Sequence, residues 1–257
     1  LNYSLLKDKD IIVYLAAISN DPMGEKFKKI TQEINYKSCI KIAKKAKKFG
    51  CKSFIFASSC SVYGTKGKKL KKEKHKLNPL TVYAKSKILC EQELKKISSK
   101  KFKVFCLRFA TACGESSRLR LDLVLNDFVY SAVKQKCINI LSDGKPFRPL
   151  IDVKDMAKAI KFGFNYDSIK RNFICVNVGS NKWNFTVLEI AKKVSKVFGG
   201  IKINLLSERP SDKRSYKVDF SEFKKIAPDF FPKIKIEDTI KNLKKVKKRK
   251  NTKKENY

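Results

Sequence analysis

The chain predicts an α/β fold, a parallel sheet with helices on both faces joined to a smaller α/β lobe, and three observations carry that prediction. Short apolar runs rich in Val, Ile and Phe alternate with lysine-rich stretches whose apolar residues recur at helical spacing. The alternation runs strand, helix, strand, and this order argues for parallel pairing through helical crossovers. After Gly114 the pattern changes to a long helix, a short strand and a turn, which marks a second lobe.

Each element follows in order. Residues 11–16 read as a buried strand, and 26–49 as a helix with Ile30, Ile34, Ile40, Ala43 and Ala46 on one face, stopped by Gly50. A strand at 53–58, a helix at 80–98 and a strand at 102–108 repeat the unit. Leu121, Leu123, Val124, Phe128, Val129 and Val133 predict a long helix, followed by a strand at 138–141 and the turn Ser142-Asp143-Gly144. A helix at 153–163 precedes a strand at 173–179 that returns to the sheet. Thr186 is placed to cap a helix at 187–198, with Glu189 at the capping-box position. A strand at 201–206 and two short helical stretches complete the small lobe. The expected domains are 1–179, of which 110–145 contribute to the second lobe, and 180–246; the lysine-rich tail 247–257 is expected to be disordered. There is no internal repeat.

Length and composition fit a chain with ample core, since 257 residues at 42% hydrophobic suffice for one domain or one and a half. No apolar run approaches the ~18 residues of a membrane span, and no leader pattern opens the chain, so the expectation is a cytoplasmic protein that does not engage a membrane. The eight cysteines are scattered without a Cys-x-x-Cys pair, and His75 is the single histidine. Reduced, mostly buried thiols are expected, and no metal centre.

Tyr83 and Lys87 hold the most informative spacing. On a helix, residues four apart share a face, so a phenol and an ammonium can enter one site together. An ammonium beside a phenol stabilises the anion formed as the proton leaves, which is the chemistry of a general acid/base. Ser59, in the pair Ser58-Ser59 that ends the strand Phe54-Ile55-Phe56-Ala57, could offer a hydroxyl to the same substrate oxygen. The spacing alone decides little, because Tyr166 and Lys170 share it by accident in a lysine-rich chain.

The surroundings decide more. Val13-Tyr14-Leu15-Ala16-Ala17, Asn35, the run Ser58-Ser59-Cys60-Ser61-Val62-Tyr63-Gly64, Asn78-Pro79-Leu80 and Leu107-Arg108-Phe109 occur in order along the chain. So do Asn126, Arg148 within Phe147-Arg148-Pro149-Leu150-Ile151-Asp152-Val153, and Arg209-Pro210-Ser211-Asp212. Together they resemble the extended short-chain dehydrogenase/reductases that act on nucleotide sugars, the NAD-dependent epimerase/dehydratase family. The resemblance implies a Rossmann-type sheet, NAD as cofactor with NADP not excluded, a nucleotide-diphosphate sugar as substrate, and a homodimer formed through the helices at 26–49 and 83–98. It implies Ser59, Tyr83 and Lys87 as catalytic residues. Leu15, Ala16, Ala17, Asn35, Tyr83, Lys87 and Phe109 would line the cofactor. Ser61, Thr111, Asn126, Arg148, Arg209 and Asp212 would line the substrate.

The implied reaction is oxidation and reduction at sugar C4, giving epimerisation if the hydride is returned and a dehydrogenase or reductase if reduced cofactor leaves. Cys60 and Ser61 stand where 4,6-dehydratases of the family carry an Asp-Glu pair, which marks dehydration down. Cys60 is also one residue early for the cysteine of epimerases that invert C3 or C5, so it reads as a buried structural thiol. Thr111 stands where C4-epimerases often have asparagine. None of the ten glycines forms the glycine-rich phosphate turn, and the first strand resembles the family's fourth. The expectation is therefore that roughly two βα units of about 30 residues are missing. A catalytically silent dinucleotide-sensing or scaffolding relative, or an inactive truncated fragment, is the alternative.

The net charge of +36 would ordinarily suggest nucleic acid. Its construction argues otherwise. Of 60 basic residues eight are arginine, and six of these (Arg108, Arg118, Arg120, Arg148, Arg209, Arg214) fall inside the resembling segments, while lysine covers the rest. With no aromatic-interleaved basic motif and no reading helix, nucleic acid is not an expected partner.

Overall fold

The structure, a computed structural model, describes residues 2–19, 21–64, 69–206 and 214–246. Its centre is a four-stranded sheet, β1 (Ile11–Tyr14), β2 (Ser53–Ser59), β3 (Lys103–Phe109) and β7 (Phe173–Val178), all parallel in the order β1-β2-β3-β7. The parallel α/β architecture is the one expected. Its register sets Ser59 beside Phe109 and Phe109 beside Val178, so the C-terminal ends of three strands finish level. In open parallel sheets that edge is where ligands bind.

Alternation along β2 explains the two layers. Phe54 and Phe56 face Cys39, Ala43, Cys90 and Leu94 of the helical layer, whereas Ile55 joins Phe105, Leu107, Phe162, Val218 and Phe223 on the other face. The helical layer is α1 (Asp21–Lys26), α2 (Lys28–Gln32), a π-helical segment Glu33–Ser38, α3 (Cys39–Lys48) and α4 (Val82–Ile97). The single helix expected over 26–49 is thus broken. Phe27 leaves helical geometry at φ −118°, ψ 53°, and the π segment inserts the extra backbone that turns Asn35 inward. Gly50 ends the run with φ +83° as expected.

The second lobe has its own core. β4 (Thr111–Cys113), β6 (Phe147–Asp152) and β8 (Asn184–Thr186) form one small sheet, and β5 (Cys137–Ile140) pairs with β9 (Lys202–Leu205). Against them pack α5 (Val124–Gln135), α7 (Val187–Val197) and α9 (Ile236–Lys245) around Leu125, Phe128, Trp183, Ile190 and Ile240. The Thr186–Glu189 capping box is present at the start of α7. Two further helices, α6 (Val153–Ile160) and α8 (Ser221–Ile226), join the lobe and the sheet. β1 ends at Tyr14, two residues before the expected limit, and β4, β6 and β8 were not anticipated. β4 and β8 are three residues each, and β6 contains Pro149, which lacks a ladder donor. The strand tolerates it because residues 147–149 pair with β8 and 150–152 with β4.

Among the described residues no helix is long and apolar enough to cross a membrane, and no cluster of His, Cys, Asp or Glu could hold a metal ion. The described cysteines are all free thiols, and six of the eight are buried. Burial pushes Cys39, Cys106, Cys113 and Cys175 above the ordinary thiol range, as befits structural cysteines.

Candidate active site

α4 begins under double restraint. Thr81 is the N-cap and its hydroxyl accepts from the Ala84 N–H at 3.1 Å, while Glu25 Oε1 of α1 accepts from the Val82 N–H at 3.1 Å. That backbone bond, with Lys28 and Lys85, holds the Glu25 carboxyl below its ordinary range. Tyr83 and Lys87 lie one turn apart on the face turned to the sheet. Lys87 is 3% exposed, and its Nζ donates to the Ala57 carbonyl at 2.7 Å. The same ammonium lies 4.7 Å from the Phe56 ring centroid and 5.3 Å from that of Tyr83. Two of its three N–H donors carry no hydrogen bond among the described residues.

Strand alternation separates the two serines. Ser58 points into the protein and donates to Glu91 at 2.5 Å; Ser59 lies on the other side and accepts from the Ser61 N–H at 3.2 Å, capping a 3-10 turn over Cys60–Tyr63. Gly64 closes the turn at φ +51°, where a Cβ would stand 2.0 Å from the Asn78 carbonyl, so the Val62-Tyr63-Gly64 and Asn78-Pro79 motifs require each other. Within the turn, Ser61 is 9% exposed, and its Oγ is the one buried side-chain oxygen without a hydrogen-bond partner among the described residues. Cys60 points inward and donates to the Arg108 carbonyl at 3.1 Å.

A second wall comes from distant sequence. Tyr216, 5% exposed, packs its ring into the sheet core, and its phenol lies in the field of Arg148, Cys60, Arg214 and Tyr83. Burial pushes it up to about 12, although Arg148 and Arg214 work in the opposite direction. Its hydroxyl makes no hydrogen bond among the described residues. Arg120 also shares the field of Tyr83; its guanidinium is held by Asp122 at 2.6 and 2.7 Å and reaches the Ser19 hydroxyl at 2.9 Å.

The remaining expected residues divide by what their polar atoms do. Leu15 is 59% exposed and, with Ala16, lies bare at the C-terminal end of β1; Ala17 is half-buried. Asn35 spends its amide on the loop after β1, the Nδ2 donating to the Ile18 carbonyl at 3.0 Å and the Oδ1 accepting from the Ile18 N–H at 2.8 Å. Asn126 likewise accepts from Gly114 N–H and donates to the Arg120 carbonyl, both at 2.9 Å, which fixes the loop between β4 and α5. Arg148 donates to the carbonyls of Phe147 and Arg214, at 2.8 and 2.6 Å, and so tethers the segment leading to Tyr216. Thr111 is half-buried at the start of β4, and Phe109 is buried at the sheet edge. Arg209 and Asp212 lie outside the described residues. Sequence reading did not single out Tyr216, Glu25 or Glu91 and counted Arg120 only among the arginines of the resembling segments; Glu91, two turns beyond Tyr83 on the same helix face, had a spacing signal.

Comparison with known proteins gives a consistent picture. The sequence profile of the NAD dependent epimerase/dehydratase family matches residues 4–179. The chain is 30% identical over 161 residues to the uncharacterized UDP-glucose epimerase YtcB of Bacillus subtilis (strain 168), covering 61% of this chain and 49% of that one. The chain thus spans about half the length of this relative. Among solved structures, the UDP-N-acetylglucosamine 4-epimerase from Methanobrevibacter ruminantium M1, in complex with UDP-N-acetylmuramic acid, superposes with a TM-score of 0.79 at 28% identity, over 94% of this chain and 76% of the other. MoeE5 in complex with UDP-glucose and NAD shares the fold at a TM-score of 0.82 and 20% identity, over 95% and 81%.

Proposed function

This chain belongs to the NAD-dependent epimerase/dehydratase family, and on that premise we propose that it oxidises and re-reduces C4 of a UDP-linked sugar, inverting that centre through Ser59, Tyr83 and Lys87. The observation that carries the reading is the Lys87 ammonium. It is buried, fixed to the end of β2 by the Ala57 carbonyl and set against the Tyr83 ring, with two N–H donors uncommitted among the described residues. A lysine needed only for solubility would stand in water.

The residues present fit the nicotinamide end of the family's cofactor, while the glycine-rich turn that would hold its pyrophosphate is not among them. Lys87 would hold the ribose hydroxyls beside the nicotinamide, and the bare Leu15 and Ala16 at the end of β1 would pack against the dinucleotide. NAD, when bound, supplies the hydride acceptor and donor. Tyr83 removes the proton from the sugar hydroxyl and later returns it. Lys87 stabilises the negative charge left on the phenolic oxygen, and Ser59 orients the hydroxyl that reacts. Ser61, whose buried hydroxyl has no partner among the described residues, takes a hydrogen bond from or to the sugar. Tyr216, Thr111 and Arg148 form the opposite wall, with Arg209 and Asp212 assigned to the diphosphate on the family pattern. A homodimer would bury the exposed Phe27, Ile30 and Leu89 of the layer formed by α2 and α4; light scattering tests it.

The test is turnover of a panel of UDP-, GDP- and dTDP-sugars with NAD, against Tyr83→Phe. Interconversion of a C4 epimer pair without net NADH, lost by about 10²–10⁴-fold in the variant, is expected. Net NADH accumulation would make the enzyme a dehydrogenase, and unchanged turnover in Tyr83→Phe would overturn the assignment.

A further inference from the structure

Behind the reacting residues lies a polar network that their chemistry does not use. Tyr83, Lys87 and Glu91 form a stripe at four-residue spacing along α4, and Glu91 continues it into the core. Its Oε1 accepts from the Ser58 hydroxyl at 2.5 Å and from Arg108 Nε at 2.9 Å, and its Oε2 from Arg108 Nη2 at 2.7 Å. Both side chains are buried, Arg108 7% and Glu91 6% exposed. Arg108 Nη1 goes on to the Tyr63 hydroxyl at 3.1 Å, and that hydroxyl donates to Asn177 Oδ1 at 2.8 Å. Asn177 in turn donates its amide to the Asp219 carbonyl at 3.1 Å and its backbone N–H to Glu73 at 2.9 Å.

The members stand next to the site residues without joining them. Ser58 precedes Ser59, Tyr63 ends the turn that carries Ser61, Arg108 precedes Phe109, and Glu91 follows Lys87 by one turn. Stability is a poor reason for such a pair in the core. Taking both ions out of water offsets most of their attraction, and a well-packed apolar pair of the same volume is often as stable or more so. Desolvation opposes the Arg108 charge, yet the hydrogen bonds and charge of Glu91 hold the guanidinium above its ordinary value. What a bidentate fork supplies that apolar contacts cannot is a unique register.

We propose that Glu91 and Arg108 are positioning residues of the proton-transfer centre. They lock α4 against β2 and β3 and choose which serine faces inward, so that Ser59, Ser61, Tyr83 and Lys87 meet one substrate. With Ser58 held by Glu91, a one-residue slip of β2 that would exchange the two serines is blocked. The inference rests on Ser59, Tyr83 and Lys87 being the reacting groups.

The test compares the full chain with NAD and a UDP-sugar in four variants: Glu91→Gln, the apolar pair Glu91→Leu/Arg108→Met, Ser58→Ala, and Tyr83→Phe as control. Melting temperature, kcat, KM and amide hydrogen exchange are measured on each. Glu91→Gln and the apolar pair are expected to lose about 10²-fold in kcat with KM changed less than about threefold, as misplacement of reacting groups by an ångström does. The apolar pair is expected to regain the melting temperature without regaining kcat. Amides of 59–63 and 83–87 should exchange about tenfold faster or more in both, with Val104 to Leu107 unchanged. Ser58→Ala, which leaves the Glu91–Arg108 fork in place, should lose about fivefold in kcat, and wild-type kcat with unchanged exchange at 59–63 would overturn the part given to Ser58. An apolar pair with wild-type kcat, or exchange that changes uniformly across the sheet, would overturn the proposal. Wild-type turnover in Tyr83→Phe would sink the reading of the site itself, whereas an inactive Tyr83→Phe beside a fully active apolar pair sinks only the positioning role.

Discussion

The two walls of the candidate site are built on opposite plans. On the α4 and β2 wall, polar groups behind the site are engaged with one another, and groups in front of it are uncommitted among the described residues: Lys87 keeps two donors and Ser61 keeps its hydroxyl. On the opposite wall, the polar residues expected to grip substrate are occupied with backbone, Asn126 with Gly114 and Arg120, Arg148 with Phe147 and Arg214. The first set leaves polar groups open to a ligand among the described residues, whereas the bonds of the second hold loop backbone in place. The comparison teaches that residue type at a motif position marks where a site is, while the hydrogen-bond inventory tells which groups remain available to a ligand.

The sharpest way to break the comparison is at Lys87. Lys87→Met keeps the volume and the contact with Phe56 but removes the charge and the bond to Ala57, and turnover is expected to fall by about 10²–10⁴-fold. Steady-state kinetics checks it, and thermal melting should show a fold that survives, since a buried ammonium contributes little net stability. On the other wall, Asn126→Ala leaves the Gly114 N–H and the Arg120 carbonyl without partners. That variant should cost about 1–3 kcal/mol of unfolding free energy and raise KM more than it lowers kcat. Equal effects on KM and kcat at both positions would erase the distinction.

Ser61 separates a ligand group from a structural one by sign. A buried hydroxyl without a partner costs free energy in the unliganded protein, so Ser61→Ala should raise the melting temperature while weakening turnover. An unchanged KM and kcat would remove Ser61 from the site. A lowered melting temperature would show that the hydroxyl is satisfied in the free protein.

The same contrast explains what the sequence made legible. The strands of the main sheet and α4 were readable because apolar period and parallel crossovers are local patterns, and Tyr83, Lys87 and Ser59 lie on them. The π segment was not, since one extra residue in a turn leaves the apolar spacing of Ile30, Ile34 and Ile40 looking helical. Asn35 and Asn126 were visible as residue types but their work was not, because it depends on which loop backbone folds against them. Tyr216 lay 133 residues from Tyr83 in the chain, and only tertiary packing brings the two phenols into one field.

The smallest effect is at the start of α4, where pH can test the restraint on Tyr83. Glu25 is an exposed carboxylate whose value is lowered, first by the Val82 N–H and then by Lys28 and Lys85. A carboxyl lowered in the folded state contributes stability that is fully present above the unfolded value and is lost as pH falls through the folded one. Removing the acceptor in Glu25→Ala should therefore lower the melting temperature by a margin that is constant above about pH 5.5 and narrows as pH falls below about 4. Melting curves across that range check the sign. A margin that widens on acidification, or none at neutral pH, would mean that Thr81 alone holds the first turn and that Tyr83 owes its place to Lys87 and Glu91 rather than to α1.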